Sequence, residues 1–153
     1  MIWHQHSFHA LNLDQLYDMM KLRVDVFVVE QNCPYPELDD KDRIPSTRHL
    51  FAYSAQGEMV AYARVLEPGV SYADASIGRV IVAQSVRGLG VAHELMQKAI
   101  AIATEHWPTH NIQIGAQQHL QAFYQQQGFQ ACSNGYLEDG IPHIDMLLQR
   151  NVK

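Results

Sequence analysis

Arg87-Gly88-Leu89-Gly90-Val91-Ala92 joins an apolar run, Ile77 to Ala83, to a segment whose apolar residues recur at helical spacing. A strand that turns through glycines into a helix aims several unbonded N–H groups, and the positive end of the helix dipole, at one point. Such a point receives anions, phosphate and pyrophosphate above all. Gly88 and Gly90 lack the Cβ atoms that would hold an anion off, and Arg87 adds a charge. A glycine pair is also what a tight turn with positive φ needs, so the loop alone does not choose. Two nucleotide readings fail. A dinucleotide fingerprint needs a small residue where His93 stands and an acid at the end of the next strand, which reads Ile114-Gly115-Ala116. The Gly-Lys-Ser/Thr of a Walker A loop is absent.

Other side chains have types that move protons. His143, just past Asp139-Gly140, is of the residue type best suited to move protons near neutral pH. Glu30, His49 and Glu138 are its rivals as a base, and each also reads as helix-end charge, strand surface or turn solvation. Arg23 and Arg64 interrupt apolar stretches, where a buried charge needs a partner. Glu30 or a substrate carboxylate would serve, and the residue types do not decide. Nine histidines do not make a metal site: His106 and His110 have the helical ligand separation, but Pro108 lies between them. No metal is expected, and Cys33 and Cys132 read as ordinary thiols.

The elements that must position these groups follow from periodicity. Met1 to Phe8 reads as a strand. Leu13, Leu16, Met20, Val24, Phe27 and Val28 predict an amphipathic helix from Asp14 to about Gln31, ended by Cys33-Pro34-Tyr35-Pro36. A polar loop runs on to Ser46. His49–Ser54 and Glu58–Leu66 flank a turn at Ala55-Gln56-Gly57. Ile77 to Ala83 has the near-continuous apolar pattern of a strand buried on both faces. The next helix carries Ala92, Leu95, Ala99, Ile102, Ala103 and His106 on one side and stops before Pro108. Ile112–Gly115 is a short strand, and Gln117–Gln127 a helix with Leu120, Phe123, Tyr124 and Gln127 on one side and Gly128 as its cap. Two strands surround Asp139-Gly140, and Pro142 places the start of the last one near an edge. The order β-α-β-β-β-α-β-α-β-β is an α+β chain with a mixed sheet and one parallel β-α-β unit, Ile77 to Ile114.

At 153 residues, 47% hydrophobic and 18% charged, the chain fits one domain. Its ends carry no address label and no segment could span a bilayer, so a cytoplasmic protein without a membrane partner is expected. A net charge of −5, with 11 scattered Lys and Arg, argues against nucleic acid. The apolar first helix and the edge at the final hairpin would support a homodimer.

Arg87-x-x-Gly90-x-Ala92 after the fourth strand resembles the (Arg/Gln)-x-x-Gly-x-(Gly/Ala) pyrophosphate signature of the GNAT superfamily of acetyl-CoA-dependent N-acetyltransferases. Ala122-Phe123-Tyr124-Gln125-Gln126-Gln127-Gly128-Phe129 resembles that family's Leu/Phe-Tyr-x-x-x-Gly-Phe helix, with Gln117 where Asn often stands. Arg23 to Tyr35 and Glu138 to Ile144 are similar to the ElaA-type branch of small bacterial GNAT proteins. The resemblance implies a single GNAT domain over residues 7–150 and acetyl transfer from acetyl-CoA to an amine. By the same resemblance, the amides of Arg87, Gly88, Leu89, Gly90, Val91 and Ala92 hold the pyrophosphate. The backbone of Val80, Ile81 and Val82 pairs with the pantetheine arm, Gln117 and Tyr124 border it, and Tyr124 protonates the leaving thiolate. Buried tyrosines are also common core residues. The competing reading is an acyl-CoA-binding sensor that turns over nothing.

Overall fold

A computed structural model describes residues 1–150. Strand β1 (Ile2–His6) leads to helix α1 (Leu13–Arg23), whose start is closed by a capping box between Asn12 and Gln15. The predicted helix does continue to Glu30, but Val24–Glu30 is wound as a π-helix. The N–H groups of Gln31 and Cys33 bond the carbonyls of Val26 and Val28, five residues back. Four valines in this stretch lower its α propensity.

Strands β2 (Arg48–Tyr53), β3 (Met59–Leu66), β4 (Ala75–Val82), β5 (Ile112–Gln117), β6 (Gln130–Ala131), β7 (Tyr136–Glu138) and β8 (Ile141–Leu148) complete one sheet. Its order is β1-β2-β3-β4-β5-β8-β6, with β7 also paired to β8. Every pairing is antiparallel except β4 with β5, the predicted β-α-β unit. Helices α2 (Val91–His106) and α3 (Gln121–Gln126) cover one face, where Leu95, Met96, Ala99, Tyr124 and Phe129 meet Ile112, Ile114, Ala116, Ile144 and Met146. On the other face α1 lays Met19 against Phe51, Met59, Tyr62 and Ile81. Among the described residues no helix is long and apolar enough to cross a membrane.

Three expectations need correction. The strand buried along its whole length is β3; in β4 Gly78, Arg79 and Val80 are only partly covered. The reason is that β4 meets β5 only at Ala75–Ile112 and Ser76–Gln113, after which the ladder stops. Gln117 is the last residue of β5 rather than the first of a helix; a single turn, Gln118–Leu120, separates it from α3. A two-residue strand, β6, precedes the final hairpin. Pro142 pairs with Leu137 of β7 while the β5 ladder begins at His143, so only the start of β8 is open on one side and the rest is interior. The hairpin itself turns as expected, with Asp139 (φ 50°) and Gly140 (φ 78°) in the left-handed region that a two-residue turn requires.

Candidate functional site

From Ile77 to Val82 β4 turns a backbone edge toward β5 that β5 does not pair, and the two strands open into a wedge. A bulge helps to turn it: the β3 register shifts between Tyr62 and Arg64, and Arg79 adopts φ 51°. Ile81 is buried toward α1, whereas Val80 and Val82 lie against the α2 core. A peptide-like chain can add to such an edge as an extra strand.

The wedge runs into the glycine loop. Gly88 (φ 82°) and Gly90 (φ 79°) are both left-handed, and a Cβ on either would meet nothing within 4 Å. Conformation, not crowding, asks for glycine there. Gly90 is the N-cap of α2 and no side chain caps that end, so the first amides of the helix face open space with Leu89 exposed beside them. Arg87 donates its Nε–H to the Val82 carbonyl at 3.0 Å and grips both Glu30 oxygens at 3.1 and 3.0 Å. An uncapped helix start, side-chain-free loop positions and one cation fit a pyrophosphate group.

Across the wedge Gln117 ends β5 and donates to Gln31, just past the π-helix, at 3.2 Å. Tyr124 follows in α3, buried, its ring edge-on to Phe123 and Phe129. Burial pushes the Tyr124 phenol up to about 12, so it keeps its proton at neutral pH.

His143 of β8 is in register with Gln117 on one side and Tyr136 on the other. Its Nδ1 lies 2.7 Å from the Ile141 carbonyl, which can only accept, so Nδ1 carries a proton. Its Nε2 is 3.4 Å from Glu138. His49, by contrast, uses both ring nitrogens, on the Tyr62 hydroxyl at 2.7 Å and the Asp42 carbonyl at 3.0 Å, and burial lowers its pKa. It is a neutral core histidine with no nitrogen left for a substrate. Glu30 is engaged by Arg87.

What sequence reasoning misses is the partnering of the arginines. Arg23 binds Asp42 at 2.7 Å, Arg64 grips Asp39 at 2.8 Å through both of its Nη atoms, and Arg79 binds Glu37 at 2.6 Å. Arg64 also reaches Asp42, and Arg23 reaches Glu37. Three guanidinium groups meet three carboxylates, so none is left over for a substrate carboxylate and none holds Glu30. The network instead straps the 34–46 loop to β3 and to the β4 bulge. Glu37, Asp39 and Asp42 crowd within one short loop, which is the signal that was available. A second missed group is Tyr72, Tyr136 and Asp145, gathered over Gly115.

A mixed sheet that parts between its two parallel strands and runs through a glycine loop into a helix defines an acyl-CoA N-acyltransferase fold. A family profile described as an acetyltransferase (GNAT) domain matches residues 19–150, and the chain belongs to that family. It is 44% identical over 144 residues to protein ElaA of Escherichia coli strain K12, covering 94% of each chain. The crystal structure of Escherichia coli ElaA superposes with a TM-score of 0.91 at 42% identity, covering 97% of this chain and 99% of that one. An acyl-CoA N-acyltransferase from Pseudomonas aeruginosa gives 0.91 at 41% identity, with the same coverage.

Proposed function

We propose that the protein is an acetyl-CoA-dependent N-acetyltransferase that moves an acetyl group from the thioester to an amine by direct attack. The observation that carries this reading is the β4–β5 wedge leading onto the uncapped start of α2, where Gly88 and Gly90 hold left-handed backbone. The amides from Arg87 to Ala92 would hold the pyrophosphate. The open edge at Val80, Ile81 and Val82 would pair with the pantetheine arm, one N–H polarising the thioester carbonyl, and Gln117 would border the arm from β5. The amine nitrogen attacks the carbonyl carbon and the carbon–sulfur bond breaks. Tyr124 gives its proton to the thiolate, and His143 takes the amine proton on Nε2, with Glu138 alongside as the way out to solvent. Burial raises the Tyr124 phenol, so giving up its proton depends on the thiolate's growing charge being held against that hydroxyl.

The test is release of free CoA from acetyl-CoA, with spermidine, amino acids, kanamycin and lysine-containing peptides as acceptors. Saturable acetyl-CoA binding with no turnover of any amine would make the protein a binding module instead.

A further inference from the structure

We propose that Asp145, acting through Tyr136, is a positioning residue that holds the His143 imidazole in place for proton transfer. The inference rests on His143 as the base in the reading above. It starts from Gly115. This glycine sits inside β5 without a positive φ, so the backbone does not require it, and a strand interior is weakened by it. Space requires it. A Cβ there would stand 3.0 Å from the Tyr72 hydroxyl, 3.1 Å from the Tyr136 hydroxyl and 3.7 Å from Asp145 Oδ1.

Those three groups form one structure. Asp145 lies opposite Gly115 in the β5–β8 register, and its Oδ1 accepts from Tyr136 at 2.6 Å and from Tyr72 at 3.5 Å. No Arg, Lys or His lies within ion-pair distance of Asp145 among the described residues, so its charge is spent on hydroxyls. A bond of that length to a carboxylate is of the strong, charge-assisted kind. It anchors the Tyr136 ring, which lies 6.0 Å from the His143 ring at 23°.

His143 is thus held at one edge by the Ile141 carbonyl and flanked on one face by the anchored Tyr136 ring, while its Nε2 points to Glu138 at 3.4 Å. The groups facing the imidazole are Tyr136 and Glu138 from β7, Asp145 two residues along β8, and neutral Gln117 from β5. At the turn the Asp139 carbonyl is taken by the Cys33 thiol at 3.2 Å.

Imidazole 1H–15N correlation spectra of the full chain, with His143 assigned by His143→Gln, test this without any acceptor. The parent should show one sharp His143 pattern with a proton on Nδ1. Tyr136→Phe and Asp145→Ala, which keep the ring or the strand but remove the anchor, should show mixed or exchange-broadened His143 signals. Asp145→Asn, which keeps an accepting oxygen, should restore the parental pattern. Unchanged spectra in both anchor variants would overturn the proposal. In the CoA-release assay, with the best acceptor of the panel, Tyr136→Phe should lower kcat about tenfold with KM for acetyl-CoA unchanged, and should cost nothing further in a His143→Gln background. A full additional loss in that background would reduce Tyr136 to a structural role and leave the base reading standing. A parental rate for His143→Gln would instead remove the base, and this inference with it.

Discussion

Gly90→Asp puts a carboxylate at the amino end of α2, where the proposed function puts the pyrophosphate. The apo protein should tolerate it. The added Cβ meets nothing within 4 Å, the left-handed backbone costs about 1 kcal/mol for a non-glycine residue, and Asp is a good N-cap. Cofactor binding should not tolerate it. One charge about 5 Å from another, at an effective dielectric of about 20 to 40, is worth about 1.5–3 kcal/mol, so affinity should fall by roughly ten- to a hundred-fold. The readout is a thermal melt with acetyl-CoA at a hundred times the parental Kd. Linkage gives the parent about 2.7 kcal/mol there, or about 5–10 °C for a chain of this size. A hundred-fold weaker variant keeps about 0.4 kcal/mol, near 1 °C. Gly90→Asn carries the steric share without the charge and should bind at least about tenfold more tightly than the Asp variant. An Asp variant that shifts as far as the parent, or no gap between Asp and Asn, would refute the anion assignment. An equal shift with NADH, and none with CoA, would leave the anion site standing but remove acetyl-CoA as its ligand.

Tyr124→Phe keeps the ring against Phe123 and Phe129, so stability and acetyl-CoA affinity should barely change while turnover falls by roughly 10²–10⁴-fold; an unchanged rate removes Tyr124 from the chemistry. Asp42→Ala leaves Arg23 and Arg64 without their shared carboxylate and should cost about 3–5 kcal/mol in urea unfolding, and a cost below 1 kcal/mol would contradict the buried network. Burial alone would raise the Asp39 and Asp42 carboxyls, but Arg64 on the first and Arg23 on the second hold both below the ordinary range, Asp39 at about 2. Stability from groups depressed in the folded state is full above their unfolded value and fades as pH falls through the folded one, so unfolding free energy should drop between about pH 5 and 2. A flat profile there would exclude the ion pairs. Leu13 and Tyr17 face outward on α1, and β6 and β7 leave an open sheet edge, so a homodimer is expected by light scattering at tens of micromolar; a monomer mass disposes of it.

Features written in short-range spacing are legible in this chain. Gly88 and Gly90, two residues apart before a helical repeat, place the α2 start, and Asp139-Gly140 places the hairpin. The π-helix is not legible, because over seven residues its wider turn shifts Val24, Phe27 and Val28 too little to leave the α pattern. Nor is the arginine network, whose partners lie 14 to 42 residues apart and meet only once β3, β4 and the 34–46 loop are in place.

The same distinction separates the two halves of the candidate site. The acyl-donor half is one continuous strand, loop and helix, Val80 to Ala92, so its geometry follows from local rules. The acceptor half is a product of register. His143 qualifies as a base by residue type alone, a property it shares with eight other histidines. What singles it out is that β8 pairs it with Gln117 at the mouth of the wedge and with Tyr136 behind, while the Ile141 carbonyl fixes its proton on Nδ1. A shift of β8 by one residue would turn His143 into the α2 core and bring Ile144 to the mouth, since alternate residues of a strand face opposite sides. The proposed base therefore depends on that register, and the anchor behind it on Gly115, where a Cβ would stand 3.0 and 3.1 Å from the Tyr72 and Tyr136 hydroxyls.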